Sequence, residues 1–419
     1  MQLSFRRLAP GVAAAAALLA TSGGARAQAV QVDTTHSVFY EAPTSTHMFV
    51  YSPSAQVQAS PFAWLDVSGG WQADVVSGAS VATKAGGAYG ATHAADVVTT
   101  ASVHDFRNVA MGDVTLKGDT TSLTGGYSYG TEHDYESNAM HVSARSDAFQ
   151  HNTQFELAYA HNFDKVCDRV QNTALANQPT LWTALENSSG CFASSATDRT
   201  THDIGVDTYE ASWGQSWTPV LETQLTYSAQ LVDGFQSDPY RSVIIGEGVK
   251  AQEHVPSERA REALIARAAY YLRGIRSAVR LSVRAYHDTW AIDSGTAELE
   301  LEKSLGESVR LMLRGRVYRQ AGAVFWSDDY TGGAPPLGPR GQYFTGDREL
   351  SPFWSYLGGL RAVWTYAPDN KKILGFMQSI KVSGSATIQD FAYDQYTLGG
   401  VPISNAFAYI GTLSLTVAF

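Results

Sequence analysis

Charged side chains alternate with apolar ones along two neighbouring segments in the second half of the chain. Glutamate occupies every second position of 298–302, with leucine between, and three arginines follow a short polar turn in 310–316. A β-strand places every second side chain on one face. Carboxylates and guanidiniums on the two arms of such a hairpin can therefore pair across it. Guanidiniums left without a carboxylate would attract anions.

The same alternation predicts a larger set of charged side chains on one face, if the apolar positions of each strand meet lipid. We expect this set to line a lumen, cationic on one wall and anionic on the other, and to select solutes by charge. The alternative is an ion-pair lattice that only fills a polar interior. The set comprises Arg267, Arg280, Arg284, Arg310, Arg314, Arg316, Arg361 and Lys381, with Glu156, Glu210 and Glu222.

Catalytic patterns are weak in this sequence. His-Asp dipeptides recur at 104–105, 133–134, 202–203 and 287–288, but neighbouring residues of a strand point to opposite faces. His141 and Ser143 share a face, yet no third group that would orient the histidine is visible. The sequence contains no Gly-rich phosphate loop, zinc-type Cys/His spacing or haem-attachment string. We therefore expect no enzyme, no metal site and no cofactor.

The last residues carry the clearest structural signal. Aromatic residues, aliphatic residues or Gly occupy the odd positions from Phe407 onward, small or polar residues occupy the even ones from Thr412 to Ala418, and the chain ends on Phe419. Strict alternation over this length predicts a membrane-spanning strand. A C-terminal strand ending on an aromatic residue is also what outer-membrane proteins present to the barrel-assembly machinery, which we expect to be a partner. Similar alternation occurs in 155–163, 221–231, 279–283 and 380–388.

Composition and turn spacing extend this signal to the whole chain. Charged residues make up 17% of the 419 residues and aromatic residues 11%, whereas soluble domains average about 25% charged residues. No apolar run beyond the N-terminus reaches the length of a membrane helix. Short turns alternate with long connections, which predicts an all-β, transmembrane antiparallel β-barrel of about sixteen strands, with long extracellular loops and short periplasmic turns. The net charge of -10 disfavours a nucleic-acid partner.

The N-terminus predicts export. Two arginines at 6–7, an apolar stretch at 11–20 and an Ala-x-Ala site at 25–27 define a signal peptide over residues 1–27, leaving residues 28–419 as the barrel. Cys167 and Cys191 are the two cysteines of the chain. In an oxidising compartment we expect them to form a disulfide that pins one loop; two free thiols or a metal site are the alternatives.

Several short strings resemble those of a family of Gram-negative outer-membrane β-barrel proteins known only as a domain of unknown function. They are DVVSGAS (74–80), EHDYES (132–137), SDPYR (237–241), PSERAR (256–261), YHDTW (286–290), RVYRQ (316–320) and TGDRELS (345–351). The resemblance covers nearly the whole chain after the signal peptide. It implies a barrel in the outer membrane of a Gram-negative bacterium, and it implies no activity.

These strings fall at the predicted extracellular ends of strands, so their polar residues would ring the outer mouth. Arginine forks that pair with carboxylates could tie the loops down there; a ligand or cation site built from the acids is the alternative. The ring comprises Asp74, Arg107, Asp134, Arg241, Arg259, Arg261, Asp288, Tyr318, Asp347 and Glu349.

Two functions fit this sequence. The first is a passive channel for small hydrophilic, and by its arginines anionic, solutes. The second is a non-conducting barrel whose extracellular loops bind a ligand, ion or partner. In both cases outer-membrane lipid surrounds the barrel. The solute and the oligomeric state leave no signal in the sequence.

Overall fold

Sixteen antiparallel strands close into one barrel in this computed structural model. The structure describes residues 29–42, 48–78, 98–99, 104–132, 134–169, 192, 199–239, 241–246, 249–328, 330, 342–369, 371–398, 401–402 and 405–419. In chain order the barrel strands are β1 (Ala29–Ala42), β2 (Met48–Phe62), β3 (Leu65–Gly78), β4 (His104–Lys117), β5 (Thr121–Thr131), β6 (Tyr135–Ala148), β7 (Thr153–Arg169), β8 (Arg199–Thr218), β9 (Leu221–Gly234), β10 (Glu258–Leu272), β11 (Ser277–Asp288), β12 (Asp293–Leu305), β13 (Val309–Gln320), β14 (Phe353–Tyr366), β15 (Ser379–Tyr393) and β16 (Asn405–Ala418). The predicted fold class is confirmed.

The first strand pairs with the last. The register of β1 and β16 runs from Gln31 opposite Ala418 to Ala42 opposite Phe407. Each of the remaining barrel strands pairs with the barrel strands that precede and follow it in the chain. A closed sheet has no edge, so its backbone N–H and C=O groups find partners within the barrel.

The two faces of the barrel wall have opposite chemistry. On β12 the side chains of Leu299, Leu301 and Leu305 are 44%, 45% and 47% exposed, while the glutamates between them lie half-buried on the other face. Large apolar side chains are exposed in the same way on other strands, and the buried side chains include many polar ones. An apolar exterior around a polar interior is the arrangement of transmembrane barrels.

The two ends of the barrel differ in their connections. At one end the turns are short: a 3-10 turn, Arg273–Ile275, joins β10 to β11, and residues 149–152 join β6 to β7. At the other end, the connections 235–257 and 321–352 are long and carry structure of their own. We call the first end the inner end and the second the outer end.

Two expectations fall outside the described residues. The signal peptide, residues 1–27, is one of them, and Cys191, the expected disulfide partner of the buried Cys167, is the other. Both stay predictions. Among the residues that the structure describes, no helix is long and apolar enough to cross a membrane.

Leu299→Arg should destabilise the barrel in lipid by about 2–4 kcal/mol, because it places a charge on the apolar face at mid-wall. Ser143→Arg on β6 is the matched control, since position 143 faces the interior and tolerates charge. The measurement is the free energy of unfolding in lipid vesicles by urea titration. Equal losses in the two variants would contradict the assignment of faces.

Candidate functional site

Strand register places the predicted lumen residues on the polar face of the wall. Consecutive strands align Ala269, Arg280, Glu300, Arg314 and Gly359 in one row across β10 to β14. The interior face of the six strands β10 to β15 carries Arg267, Arg280, Arg284, Arg310, Arg314, Arg316, Arg361 and Lys381. Glu156, Glu210 and Glu222 lie on the interior face of β7, β8 and β9.

Three arginines of this cationic wall are held by the three glutamates of β12. Arg314 Nη2 lies 2.5 Å from Glu298 Oε2, and Arg280 Nη1 lies 3.1 Å from Glu302 Oε2. Arg310 approaches the same glutamate, Glu302, at 3.7 Å. Glu300 lies 3.9 Å from both Arg280 and Arg314. The glutamates and these three guanidiniums therefore compensate one another across the hairpin.

The remaining arginines of the wall have weaker partners. Arg267 Nη1 donates to Gln224 Oε1 at 3.0 Å, and Arg361 Nη2 donates to Ser383 Oγ at 3.4 Å. The guanidinium of Arg284 lies 5.3 Å from the ring centre of Tyr286, and Arg316 has a buried Nε without a hydrogen bond. Within the described residues, none of these four arginines has a carboxylate at ion-pair distance.

The opposite wall is predominantly acidic. Its interior face adds Asp33 on β1, Asp66 on β3 and Asp113 on β4 to the three predicted glutamates. Asp66 is paired with Lys117 at 2.6 Å, and Asp113 lies 3.3 Å from His141 Nε2. The lumen thus has one wall rich in guanidiniums and one rich in carboxylates.

The expected absence of catalysis is not tested by this geometry. His141 and Ser143 both face the interior on β6, and no hydrogen bond joins them within the described structure. Among the described residues, no group of three or more His, Cys, Asp or Glu side chains is arranged to hold a metal ion.

At the outer end, Asp288 is a fully buried junction at the end of β11. Arg259 donates to its Oδ2 from Nε at 2.9 Å and also from Nη2, and the Tyr286 hydroxyl donates at 2.8 Å. The backbone N–H groups of Trp290 and Ile292 donate to Oδ1 at 2.9 and 3.0 Å. Arg259 also lies 3.9 Å from the ring centre of Trp290. These contacts satisfy the buried charge and fix the β11–β12 turn.

A second buried ion pair crosses from a loop to the first strand. Arg348, in the 3-10 turn Arg348–Leu350 of the β13–β14 connection, donates to the two oxygens of Glu41 on β1 at 2.5 and 2.9 Å. Glu41 is 3% exposed and Arg348 is 9% exposed. Burial works against the charged guanidinium, but hydrogen bonding to Glu41 outweighs it and raises the pKa of Arg348. We call this pair the latch.

The β13–β14 connection also joins the β9–β10 connection. Thr345 Oγ1 donates to Glu253 Oε2 at 2.6 Å, and the backbones of His254 and Phe344 exchange hydrogen bonds of 3.2 and 2.8 Å. The buried Tyr330 hydroxyl donates to the Thr345 carbonyl at 2.7 Å, and its burial raises the pKa of Tyr330. An apolar cluster lies beneath, formed by Val255, Trp290, Ile292, Ala323 and Phe325.

The β9–β10 connection reaches further around the mouth. Gln252 Nε2 donates to Asp168 Oδ1 of β7 at 3.3 Å, and the short strand Arg241–Gly246 pairs with Val98–Thr99 of the β3–β4 connection. The two long connections, 235–257 and 321–352, are therefore tied to each other and to strands on several sides. We call them together the outer cap.

The other predicted mouth residues lie at the strand ends or in the cap. Asp74 accepts from Ser52 at 2.5 Å, and Arg107, its register partner, lies 3.4 Å from Glu132. The other contacts are Arg261 to Gln230 at 2.7 Å, Tyr318 to Gln320 at 2.6 Å, the Asp347 carboxylate to the Glu349 N–H at 3.0 Å, and the Asp134 carbonyl to the Cys167 N–H at 2.8 Å. The side chain of Arg241 lies outside the described part of the structure.

Sequence reasoning missed Glu41, Glu253 and Arg348. Arg348 lies inside the string at 345–351, between Asp347 and Glu349, which the sequence analysis assigns to the outer mouth. That string therefore offered a signal for Arg348. No motif in the sequence marks Glu41 or Glu253, because each acquires its role from a partner in a connection that is distant in the chain.

A closed barrel with an apolar exterior, a charged lumen and a structured outer cap defines a transmembrane β-barrel protein. Residues 10–376 match the family described as protein of unknown function (DUF3570), and the chain belongs to this family. The resemblance noted in the sequence is thereby confirmed. No curated protein is similar to this chain in sequence.

Solved structures similar to this chain are outer-membrane barrels. A bacterial polysaccharide outer membrane secretin shares 10% identity over 93% of this chain and 98% of that one, with a TM-score of 0.48. OccD3 (OpdP) of Pseudomonas aeruginosa shares 8% over 93% and 91%, with a TM-score of 0.43. A BenF-like porin of Pseudomonas fluorescens Pf-5 shares 9% over 94% and 99%, with a TM-score of 0.41. At these identities and scores, they carry no argument about function.

Arg348→Gln should release the β13–β14 connection, because it leaves the buried Glu41 carboxylate without its partner. Loss of one member of a buried ion pair costs about 3–5 kcal/mol, and amide hydrogen exchange within 342–352 should accelerate accordingly. Arg319→Gln is the control, since its pair with Asp394 is over a third exposed on both sides and should change little.

The double variant Glu41→Gln with Arg348→Gln removes both charges. It should recover part of the protection of residues 342–352 against amide hydrogen exchange. Unchanged exchange at 342–352 in the single variant would show that the latch does not hold the cap.

Proposed function

We propose that this protein is a passive channel for small hydrophilic solutes in the outer membrane of a Gram-negative bacterium, and that it prefers anions. The observation that carries the proposal is the lumen, in which a guanidinium-rich wall on β10 to β15 faces a carboxylate-rich wall on β1 to β9. Residues 1–27 would serve as the export signal and be removed.

The size of the barrel supports a pore. Side chains alone do not fill the interior of a sixteen-stranded barrel, so water occupies the rest unless loops do. Charges that line a pore select ions by sign. Arginine stays protonated at any physiological pH, and several arginines of the wall lack a carboxylate partner in the described structure, which favours anions.

The exterior supports membrane insertion. Its exposed apolar side chains suit outer-membrane lipid, and β16 with the terminal Phe419 suits recognition by the barrel-assembly machinery. We assign the protein no enzymatic activity, no cofactor and no nucleic-acid partner.

The outer cap favours a second candidate function. Connections 235–257 and 321–352 pack on one buried apolar cluster and are joined by the hydrogen bond from Thr345 to Glu253, so they present a preformed surface. Such a surface suits a barrel whose extracellular connections bind a ligand, ion or partner without conducting.

Purified protein in planar bilayers should conduct, and a KCl gradient should give a reversal potential of the anion-selective sign. Arg284→Glu with Arg361→Glu should move that potential toward cation selectivity, because both side chains face the lumen and neither belongs to an ion pair within the described structure. Arg280 is less suited to the test, since Glu300 and Glu302 hold it. Arg319→Glu, on the exterior face, is the control and should leave selectivity unchanged.

Two results would count against the channel. One is a reversal potential that the double substitution leaves in place. The other is a wild-type protein that never conducts; if Arg348→Gln, which releases the cap, then opened a conductance, the cap would be the barrier and the second candidate would be favoured.

A further inference from the structure

The charges of the cationic wall do not balance, and the excess is localised. On β10 to β13 the three glutamates of β12 are engaged by Arg280, Arg310 and Arg314. Arg267, Arg284 and Arg316 remain without a carboxylate at ion-pair distance in the described structure. Arg316 is half-buried, and Arg267 and Arg284 are exposed to the lumen, so all three guanidiniums can form charge-assisted hydrogen bonds to a ligand that enters it.

Strand register places these three arginines close to one another on the interior face. Arg267 stands opposite Ser282, Ser282 opposite Glu298, and Glu298 opposite Arg316. Arg284 follows Ser282 by two residues on β11 and so lies on the same face. The three arginine positions therefore lie on β10, β11 and β13 of the same interior face.

The same residues line one cleft of the lumen wall. Its volume is about 540 Å³, and its lining includes the three arginines with Gln224, Ser282 and Thr296. This volume is within the range of sites for small molecules. The hydroxyls of Ser282 and Thr296 and the amide of Gln224 provide further hydrogen-bonding groups.

Carboxylates also line the cleft, and their positions determine where an anion fits. Glu298 and Glu300 are held by Arg314 and Arg280, so their charges are compensated. Glu222 stands opposite Ala269, toward the inner end of the cleft. An anion therefore fits best at the outer part of the cleft, beside Arg284.

We propose that this cleft is a binding site for a small, multiply charged oxyanion, either a dicarboxylate or a phosphate. A guanidinium fork binds two oxygens of a carboxylate or phosphate at once, which it cannot do with chloride. Three such groups against Glu222, which no arginine holds in the described structure, leave an excess of two positive charges, and this excess matches a ligand that carries two negative charges. The inference deepens the proposed function, on which it rests for the route of the ligand into the lumen.

The test is isothermal titration calorimetry of the full-length barrel in detergent, with succinate in one arm and inorganic phosphate in the other. Arg284→Gln with Arg316→Gln should weaken binding of the preferred anion by at least about tenfold, since each loses a charge-assisted hydrogen bond. Arg361→Gln with Lys381→Gln is the matched control. It removes the same charge from the lumen but outside the cleft, and should weaken binding less than about threefold by loss of the general field.

A response to one anion identifies the chemistry of the site, and responses to both identify a general oxyanion site. No binding of either anion, or equal weakening in the two double variants, would overturn the proposal.

The same proteins in planar bilayers separate the two proposals. If the wild type conducts and the anions do not reduce its current or bind, the site is wrong and the channel stands. If the anions bind with the expected variant pattern but the wild type never conducts, the channel is wrong and the site stands.

Discussion

The structure depends on satisfying every backbone hydrogen bond within a wall that presents apolar side chains outward. Pairing of β1 with β16 closes the sheet and removes the unpaired edge that an apolar surrounding would not tolerate. Closure in turn fixes which side chains point inward, because each strand alternates its faces. The polar lumen is therefore a consequence of the same pairing that makes the barrel stable.

A rigid wall gives the charged side chains their positions. Arg280 and Arg314 meet Glu300 because three strands run in fixed register, not because a flexible loop places them there. Shifting one strand by one residue would turn its charged side chains outward. The fixed register therefore keeps these side chains on the interior face. The outer cap is built differently: the buried pair of Arg348 with Glu41 ties it to β1, and its apolar cluster supplies the remaining packing.

The strand alternation made most of the barrel predictable. A period of two in the sequence predicts both the strands and the inward face, so Glu298 and Arg316 could be assigned to the lumen without a structure. The contacts of the cap could not be predicted, since Arg348 and Glu41 are 307 positions apart in the chain and neither follows a period. The partner of Cys167 lies beyond what the structure describes, and the pairing remains an expectation. Family membership adds no activity to this picture.

The latch has a consequence for the order of biogenesis. Its acidic half belongs to β1, the first of the sixteen described barrel strands, and its basic half to the connection that follows β13. Glu41 lies on the seam strand, opposite Ala408 of β16, so its surroundings are complete only once the ends of the sheet have met. The complete surroundings of the Arg348–Glu41 pair therefore require that β1 and β16 have met. A chain whose seam stays open would leave the β13–β14 connection without its buried partner on β1.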